Sequence, residues 1–551
     1  YYRSIEGEKG QQDSTIIDGS DEICVNAGPF GGQYWDGSQF VALEWKRSET
    51  GLESPTPGNH TGANGWPQDS IWFAYYPHAD SVGLMVLGWG EYIPRQDSLT
   101  HLKNNRMGEP SGGAGENSGW TANPGGDTIY FQRKTGGTTS AGSPASSVVH
   151  FGYVTPGANG NGIEVRQRNW RIANLTIRFR GYATTGGGDP GAHGYGIRAG
   201  NGSAVAAGLV VDSCVFICNE NTAVYAPSSQ AVPNDSITVV NCKTYGRSIG
   251  GMTYGALKQR KEEIANMYYL QGRSNILWNC IAEDTFNGIN GGGLGSADST
   301  ALRNTEISYN AVRHVVDDGI ELDASQAINC LVYKNTIREP GRGFSVAPIH
   351  VGPLWYLFNT VSNPSAGGCV KIGNSTVGST YFYNNTFTSN NAGGYGFSDA
   401  GGLDASRITL RNNIIIGKGP AAAGSSYSLS MVSGITDVTT NTLNYNLYDS
   451  LACTRVARWA AIEYSLKTLQ STRGWEKNGI QASPAFVDSA SHNFRLLGSS
   501  PARAVGMRIT GVNTSIGGSR YNGSAPDIGA WEQGWPTVTR RHWWSRYLSR
   551  R

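Results

Sequence analysis

Four near-copies of one short phrase constrain the fold more than any other feature of this 551-residue sequence. The phrases read ISYNAVRHV, LVYKNTIRE, WYLFNTVSN and YFYNNTFTS, each with an Asn between alternating apolar residues. These asparagines, Asn310, Asn335, Asn359 and Asn385, follow one another at steps of 25, 24 and 26 residues. A fixed period combined with strand-like alternation is typical of stacked repeats.

A second phrase recurs a few residues after each Asn, in the forms NGING, DGIEL, RGFSV and GCVKI. Its small residue followed by an apolar one predicts a tight turn that leads into a further short strand. Several strands in each repeat leave no room for helices, so the pattern predicts an all-β parallel β-helix with coils about 4.8 Å apart. At a coil corner, each Asn would then bond to the Asn of neighbouring coils and satisfy buried turn groups.

The domain prediction follows from where this period is present. A content of 75 Gly and only 16% charged residues fits a turn-rich solenoid, which can stay one unit at this length. PGGDTIYF, starting at Pro124, is predicted to be the first core strand, and Val456–Gln470 an amphipathic helix with Trp459, Ile462 and Leu466 on one face. We therefore predict an irregular capping or docking region at 1–123, the β-helix at 124–454, a helix and capping segment at 455–532, and a basic-aromatic tail at 533–551.

Upstream of Asn310 the Asn column is predicted to continue through Asn174, Ser213, Asn241 and Asn279 at longer steps, which indicates insertions on loops of one face. One insertion carries a predicted short helix at Leu257–Asn266. A Cys follows three of these positions: Cys214, Cys242 and Cys280. Stacked coils would bring these thiols to disulfide distance, yet they serve equally well as small buried residues, and both interpretations stay open. No Cys pair has CxxC spacing, so no metal site of the zinc type is predicted.

The bulk properties exclude some classes of partner. A net charge of +2 gives no field for nucleic acid, and the apolar run Val82–Leu87 is too short for a membrane span. The sequence opens on Tyr1 without a Met, which is typical of a processed chain. We therefore expect a secreted protein, extracellular or at the cell surface.

One coil is much more polar than the others and carries the candidate catalytic residues. If Ile320 and Leu322 point inward, Glu321 and Asp323 point outward, near the turn of Asp317 and Asp318. Alignment of the following coils places Ser345 and Lys371 at the position of Glu321. The predicted catalytic residues are Asp317, Asp318, Glu321, Asp323 and Lys371, and the predicted substrate-binding residues are Arg342, Ser345 and His350.

Two kinds of glycan chemistry fit such a groove. Two carboxylates in different environments could act as acid and base on a glycosidic oxygen. Alternatively, carboxylates holding a cation such as Ca²⁺ could work with Lys371, Arg342 or His350 to remove the proton alpha to a uronate carboxylate. A structural interpretation also stands, because Asp317 and Asp318 before a Gly are ordinary turn residues or ligands of a structural cation.

Together with the closing SPA…DIGAWE segment, these phrases resemble the secreted right-handed parallel β-helix proteins of the pectate-lyase-like superfamily. The resemblance covers about Pro124 to Glu532 and is nearest to a sparsely characterised bacterial branch with a DDGIELD-like coil and a coil like GFSVAPIHVGPLWYLFNTV. It implies a right-handed β-helix and an extracellular polysaccharide as partner. It does not fix the activity, because the superfamily holds lyases, hydrolases, epimerases, tailspikes and surface proteins. The NTD and GHG phrases of pectin hydrolases are absent.

Two functional hypotheses follow. In the first, the protein binds a polysaccharide along the groove beside Glu321 and cleaves it as a lyase or hydrolase. In the second, it is a non-enzymatic subunit of an extracellular filament, sheath or spike. The tail supports the second, since Arg540, Trp543, Trp544 and Tyr547 could dock into a neighbouring copy and build a homo-oligomer.

Overall fold

The fold was taken from a computed structural model. It describes strands between residues 3 and 153, and then residues 162–178, 194–200, 204–217, 222–229, 233–246, 267–291, 302–323, 327–373, 376, 378–389, 395–399, 406–417, 427–431, 440–449, 455–459, 462–515, 518–519, 521 and 523–532. The predicted helix Leu257–Asn266 and the C-terminal tail lie outside this description. No helix in the described part of the chain is long and apolar enough to cross a membrane.

The chain divides into two compact units. The first comprises Tyr1–Ile328 with Glu339–Ser345, and the second comprises Asn329–Arg338 with Val346–Arg551. Each unit is built from three parallel sheets, named A, B and C after the order in which one coil visits them.

In the first unit, every coil contributes one short strand to each of sheets 1A, 1B and 1C. Sheet 1A contains Arg3–Glu6, Trp170–Ala173, Val210–Asp212, Thr238–Val240, Ile276–Trp278 and Glu306–Ser308. Sheet 1B contains Ile16–Asp18, Thr176–Arg178, Val215–Ile217, Lys243–Tyr245, Ile281–Glu283 and Ala311–Arg313. Sheet 1C contains Ile163–Val165, Ile197–Ala199, Thr222–Ala226, Met267–Leu270, Ile289–Asn290, Asp318–Glu321 and Arg342–Val346.

The second unit repeats this arrangement. Sheet 2A contains Cys330–Tyr333, Leu354–Leu357, Thr380–Tyr383, Ile408–Arg411 and Thr442–Asn444. Sheet 2B contains Thr336–Arg338, Thr360–Ser362, Thr386–Thr388, Ile414–Ile416, Leu447–Tyr448 and Ile480–Gln481. Sheet 2C contains Gly368–Ile372, Tyr395–Asp399, Leu429–Met431, Ala457–Trp459 and the antiparallel Ile462–Tyr464. This strand order is a right-handed parallel β-helix, so the predicted fold class is confirmed.

The N-terminal region departs from the sequence-based expectation. Arg3–Glu6 and Ile16–Asp18 pair in parallel with Trp170–Ala173 and Thr176–Arg178, so strands of the β-helix occur at the very start of the sequence. The strand Thr128–Gln132, predicted to open the β-helix, is instead antiparallel to two other strands. The repeat could not reveal the early strands, because a long stretch of sequence separates them from the next coil.

That intervening stretch forms antiparallel sheets. One contains Ser20–Ile23, Val149–Tyr153, Val82–Leu87 and Glu91–Ile93. Another contains Gly119–Ala122, Thr128–Gln132, Ile71–Tyr75 and Lys46–Arg47. Gly31–Trp35 and Phe40–Glu44 form a hairpin.

The corner between sheets A and B explains the abundance of Asn. In the first unit, the residue at this corner adopts a positive φ, as in Asn241 (56°), Asn279 (53°) and Tyr309 (58°). Asn tolerates this left-handed conformation better than most residues do. The amide of Asn279 donates to Asn241 at 2.7 Å, and Asn241 donates to Asp212 at 3.2 Å. The corner side chains therefore form an outer ladder that ends on a carboxylate, which Arg171 also contacts at 2.9 Å.

The predicted register of the Asn column in the first unit is wrong by one residue. Asn174, Ser213, Asn241 and Asn279 are the left-handed corner residues, whereas Asn310 belongs to the adjacent, inward column. The N–H of Cys280 donates to Oδ1 of Asn310 at 2.8 Å, and the N–H of Cys214 to Sγ of Cys242 at 3.4 Å. The three cysteines therefore occupy ladder positions as free, buried thiols, and they form no disulfide. Burial raises the pKa of the Cys242 thiol well above its usual value.

The second unit contains the predicted ladder in full. Each Asn of this ladder donates both its backbone N–H and its side-chain amide to Oδ1 of the Asn in the next coil, at 2.9–3.0 Å. The donating residues are Asn335, Asn359, Asn385 and Asn413. The other amide hydrogen reaches a backbone carbonyl, as in Asn385 to Tyr356 at 2.9 Å. Each buried amide therefore finds its acceptors only when the coils are stacked.

The ladder from Asn335 to Asn446, here called the inner ladder, ends on a buried carboxylate. Asn446 donates its side-chain amide to Oε1 of Glu476 at 2.6 Å and its N–H to Oε2 at 3.2 Å. Tyr448 donates its hydroxyl to Oε1 at 2.9 Å. Burial raises the pKa of Glu476 to about 7, despite the opposing effect of these donors.

The C-terminal part differs from the predicted helix at Val456–Gln470. Ala457–Trp459 and Ile462–Tyr464 are strands, and the helix spans Leu466–Arg473. Ser465 accepts a hydrogen bond from the N–H of Thr468 as the N-cap, and Gly474 ends the helix at φ 69°. Apolar spacing alone did not reveal this cap, and Ile462, expected on the packed face, is exposed.

The residues after the helix lie along the A–B corner of the second unit. They include the hairpins Phe486–Asp488 with Asn493–Leu496 and Thr514–Ser515 with Gly518–Ser519. Corner residues Asn384 and Asn412 donate to backbone carbonyls of this segment at 3.0 and 2.8 Å. Apolar residues pack beside them, since Val512 joins Leu357 and Ile528 joins Ile414. This segment thereby covers side chains that would otherwise face water.

Asn385→Ala tests the inner ladder. The change leaves the two donors of Asn359 without their buried acceptor, so we expect a loss of at least about 2 kcal/mol in the free energy of unfolding. Urea denaturation followed by circular dichroism measures it. Asn478→Ala, at an exposed position, is the matched control and should stay within about 0.5 kcal/mol of wild type. An equal loss in both variants would contradict the ladder's role.

The pH dependence of stability tests the buried end of this ladder. The folded-state pKa of Glu476 lies above its unfolded value, so its stabilising contribution is complete below about pH 4.5 and is lost as pH rises through about 7. A rise of the pKa from 4.5 to about 7 corresponds to roughly 3 kcal/mol. Glu476→Gln should remove this loss between pH 5 and 8 in urea-unfolding curves. A variant with the pH profile of wild type would show that another group is responsible.

Candidate functional site

The outward face of sheet 1C carries a row of polar side chains, one from each coil. Strand register places them directly above one another, about 4.8 Å apart. The row runs Arg198, Tyr225, Tyr269, Asn290, Glu321 and Ser345. The neighbouring residues on the same strands point inward, and those such as Ile320 and Phe344 are fully buried. Strict alternation along each strand therefore separates the core from this functional face.

Three carboxylates converge at one point of this face. Asp318, Glu321 and Asp323 each place a carboxylate oxygen within 4.8 Å of the others. Asp318 is only 1% exposed, whereas Glu321 and Asp323 are half-buried. The sequence predicted all three, and the structure brings them together.

Two asparagines hold Glu321 in place, and sequence reasoning did not identify them. Asn287 and Asn290 donate their side-chain amides to Oε2 of Glu321 at 2.5 and 2.7 Å. Both lie in the phrase NGING, which was interpreted only as a turn and strand. The available signal was register, because NGING aligns with DGIEL and places Asn290 next to Glu321.

The remaining predicted residues of the first unit surround this cluster. Ser345 donates its hydroxyl to Oδ1 of Asp323 at 2.6 Å. Arg342 lies opposite Asp318 in the strand register, and its N–H donates to the carbonyl of Asp317 at 2.7 Å. Asp317 is itself buried in the turn before the strand. Ser345 therefore contacts the cluster through a side-chain hydrogen bond, whereas Arg342 donates to the backbone carbonyl of Asp317.

The other predicted site residues belong elsewhere. Lys371, half-buried on strand Gly368–Ile372, and His350, which is exposed, both lie in the second unit. The predicted assembly residues, Arg540, Trp543, Trp544 and Tyr547, lie outside the described residues. The roles proposed for all of these residues stay predictions.

A stack of tyrosines adjoins the cluster along the same row. The rings of Tyr195 and Tyr225 lie 4.3 Å apart and nearly parallel, and those of Tyr225 and Tyr269 lie 5.0 Å apart. Because the faces of the rings pack against one another, the stack presents ring edges and hydroxyl groups outward. Gln271 donates to the Tyr269 hydroxyl at 2.7 Å, and burial raises the pKa of Tyr269. The guanidinium of Arg198 lies 5.6 Å from the centre of the Tyr195 ring.

The geometry of the three carboxylates fits a divalent cation. Carboxylate oxygens bind Ca²⁺ at about 2.3–2.6 Å, so oxygens on opposite sides of one ion lie about 5 Å apart. The three carboxylate oxygens of the cluster all lie within 4.8 Å of one another, which matches this arrangement. Three carboxylates so close repel one another, and an ion of opposite charge relieves that repulsion. Asp318, Glu321 and Asp323 are therefore the residues that would hold Ca²⁺.

Comparisons with known proteins concern the fold. No family model and no curated protein matches the sequence. The pectate lyase Pel9A is a similar solved structure, with a TM-score of 0.32 and 15% identity over 66% of this chain and 88% of that chain. PfbA, a surface adhesin of Streptococcus pneumoniae, has a TM-score of 0.31 and 10% identity over 54% and 68%. A glycoside hydrolase has a TM-score of 0.30 and 11% identity over 71% and 81%. The strand order described above makes this chain a parallel β-helix, and these solved structures are proteins that it is similar to.

Cation binding by the cluster can be measured directly. Terbium luminescence or calorimetry with Ca²⁺ should show one site, and Glu321→Gln should weaken it by at least about tenfold, since a charged ligand is lost. Glu306→Gln is the matched control, because Glu306 is a half-buried carboxylate on sheet 1A of the same unit. Equal affinity in wild type and Glu321→Gln would show that Glu321 holds no cation.

Proposed function

We propose that the protein binds an extracellular polysaccharide along the outward face of sheet 1C and cleaves it beside Glu321. The convergence of Asp318, Glu321 and Asp323 within 4.8 Å, on a face that repeats one polar group per coil, carries this proposal. Secretion is part of the proposal, because such a polymer lies outside the cell.

The row of side chains supports binding of a polymer rather than a small molecule. A coil repeat of about 4.8 Å offers similar groups at regular steps along the helix axis. Within this row the half-buried Tyr225, Tyr269 and Glu321 offer two hydroxyls and a carboxylate, which are groups that bond to sugar hydroxyls. An extended chain can contact several of them at once, whereas a monosaccharide reaches only one or two.

The carboxylates support lyase chemistry over inverting hydrolysis. Inverting glycosidases need about 6.5–9.5 Å between their two carboxyl groups, so that a water molecule fits between them. The oxygens of this cluster lie within 4.8 Å. Amide donors from Asn287 and Asn290 hold the Glu321 carboxylate in one position, which suits a cation ligand.

When bound, a divalent cation would stabilise negative charge that develops on a sugar carboxylate next to the scissile bond. The chain's own groups have separate tasks. Asp318, Glu321 and Asp323 would hold the cation, and Ser345 orients Asp323 through its 2.6 Å hydrogen bond. Arg342 supplies positive charge beside Asp318 in the strand register. Lys371, the base expected from the sequence, belongs to the second unit, and its role stays a prediction.

A panel of acidic and neutral glycans tests the proposed function. We expect wild type to release unsaturated products, which are detected by their ultraviolet absorbance. A chelator should stop this reaction. Asp318→Asn and Glu321→Gln should each lower kcat by about a hundredfold or more, because each removes charge at the reaction centre.

Glu306→Gln on sheet 1A should keep the wild-type rate and serves as the control. Reducing ends without unsaturation would indicate hydrolysis instead. Absence of any product across the panel, from protein that binds the cation, would overturn the proposed cleavage.

A further inference from the structure

Two buried amides converge on a single oxygen of the proposed site. The side chains of Asn287 and Asn290 are only 6% and 8% exposed, and both donate to Oε2 of Glu321. Two donors on one oxygen restrict the orientation of the carboxylate, and with it the position of Oε1.

Asn287 also contacts a second member of the cluster. Its Oδ1 accepts a hydrogen bond from the N–H of Asp318 at 3.0 Å, while its amide nitrogen reaches Glu321 at 2.5 Å. One side chain therefore spans the backbone of Asp318 and the carboxylate of Glu321. The backbone of Asn287 is held in turn, because Thr285 donates its hydroxyl to the Asn287 carbonyl at 2.7 Å. The separation of two of the three acids therefore depends on one buried amide.

We propose that Asn287 and Asn290 are positioning residues that orient the Glu321 carboxylate toward a cation shared with Asp318 and Asp323. This inference rests on the proposed function, because it adds to the proposed cation site the residues that contact its ligands. Partners that orient metal ligands typically change metal affinity about 10–100-fold when they are removed. The two asparagines would act only through Glu321 and Asp318, without touching substrate.

A different buried asparagine shows what a purely structural amide does in the same unit. Asn275 is fully buried, accepts from the N–H of Ile237 at 2.9 Å and donates to the carbonyl of Gln271 at 2.7 Å. Both partners are backbone groups, with no carboxylate among them. Loss of the Asn275 amide should therefore cost stability and leave the cluster unchanged.

The experiment titrates the full-length protein with terbium, and with Ca²⁺ as competitor, for wild type, Asn287→Leu, Asn290→Leu and Asn275→Leu. Leu has a similar size and cannot donate a hydrogen bond. We expect at least about tenfold weaker binding for the Asn287 and Asn290 variants, and binding within twofold of wild type for Asn275→Leu. Asn290→Ser retains a hydroxyl donor, so it should lose less affinity than Asn290→Leu, and it serves if the Leu variants do not fold.

Thermal midpoints measured on the same samples separate positioning from stability. Equal destabilisation of Asn275→Leu and Asn290→Leu, with weaker binding in the second alone, supports the inference. Wild-type affinity in both the Asn287 and Asn290 variants overturns it, and so does weaker binding in the Asn275 control. Wild type that binds no cation overturns it as well. Asn-dependent binding without any glycan cleavage would support the positioning role and remove the proposed activity.

Discussion

The fold depends on a buried amide that only a neighbouring coil can satisfy. Asn359 in the second unit sends two donors to one oxygen above it and receives two donors on its own oxygen from below. A buried polar group without a partner costs about 1–3 kcal/mol, so a coil that slipped by one residue would lose all of these bonds together. The ladder therefore fixes the vertical register of every strand that follows it.

In the first unit, strand register likewise creates a row of outward side chains on sheet 1C. Each strand of sheet 1C alternates a fully buried apolar residue with an outward polar one, so equivalent outward residues of successive coils lie in a row. Asn290, Glu321 and Ser345 are far apart in sequence, yet each is adjacent to the next. A carboxylate cluster on such a face rests on a rigid backbone, which favours precise placement of charged groups.

The sequence indicated the fold and part of the site for identifiable physical reasons. Where one Asn per coil sits in a regular period, as at Asn335 and Asn359, the ladder could be predicted directly. In the first unit the corner conformation and the inner column both favour Asn, so Asn279 and Asn310 looked equivalent although they occupy adjacent columns. Glu321 was found because charge at an outward strand position is conspicuous. Asn290 was not predicted, since an Asn before a Gly is also typical of a turn.

The ladders have a direction, and this has a consequence for how such a chain can change in length. Each Asn donates to the next member of its ladder, and each ladder ends on a carboxyl group that accepts the last amide. Glu476 is this end in the second unit, and Asp212 is the end of the outer ladder in the first. Whole coils can be duplicated or deleted between neighbouring asparagines, because each new coil restores the same exchange. In the described residues the amide-to-amide exchange stops at each carboxylate, so duplication by this route is confined to the coils that carry the linked asparagines.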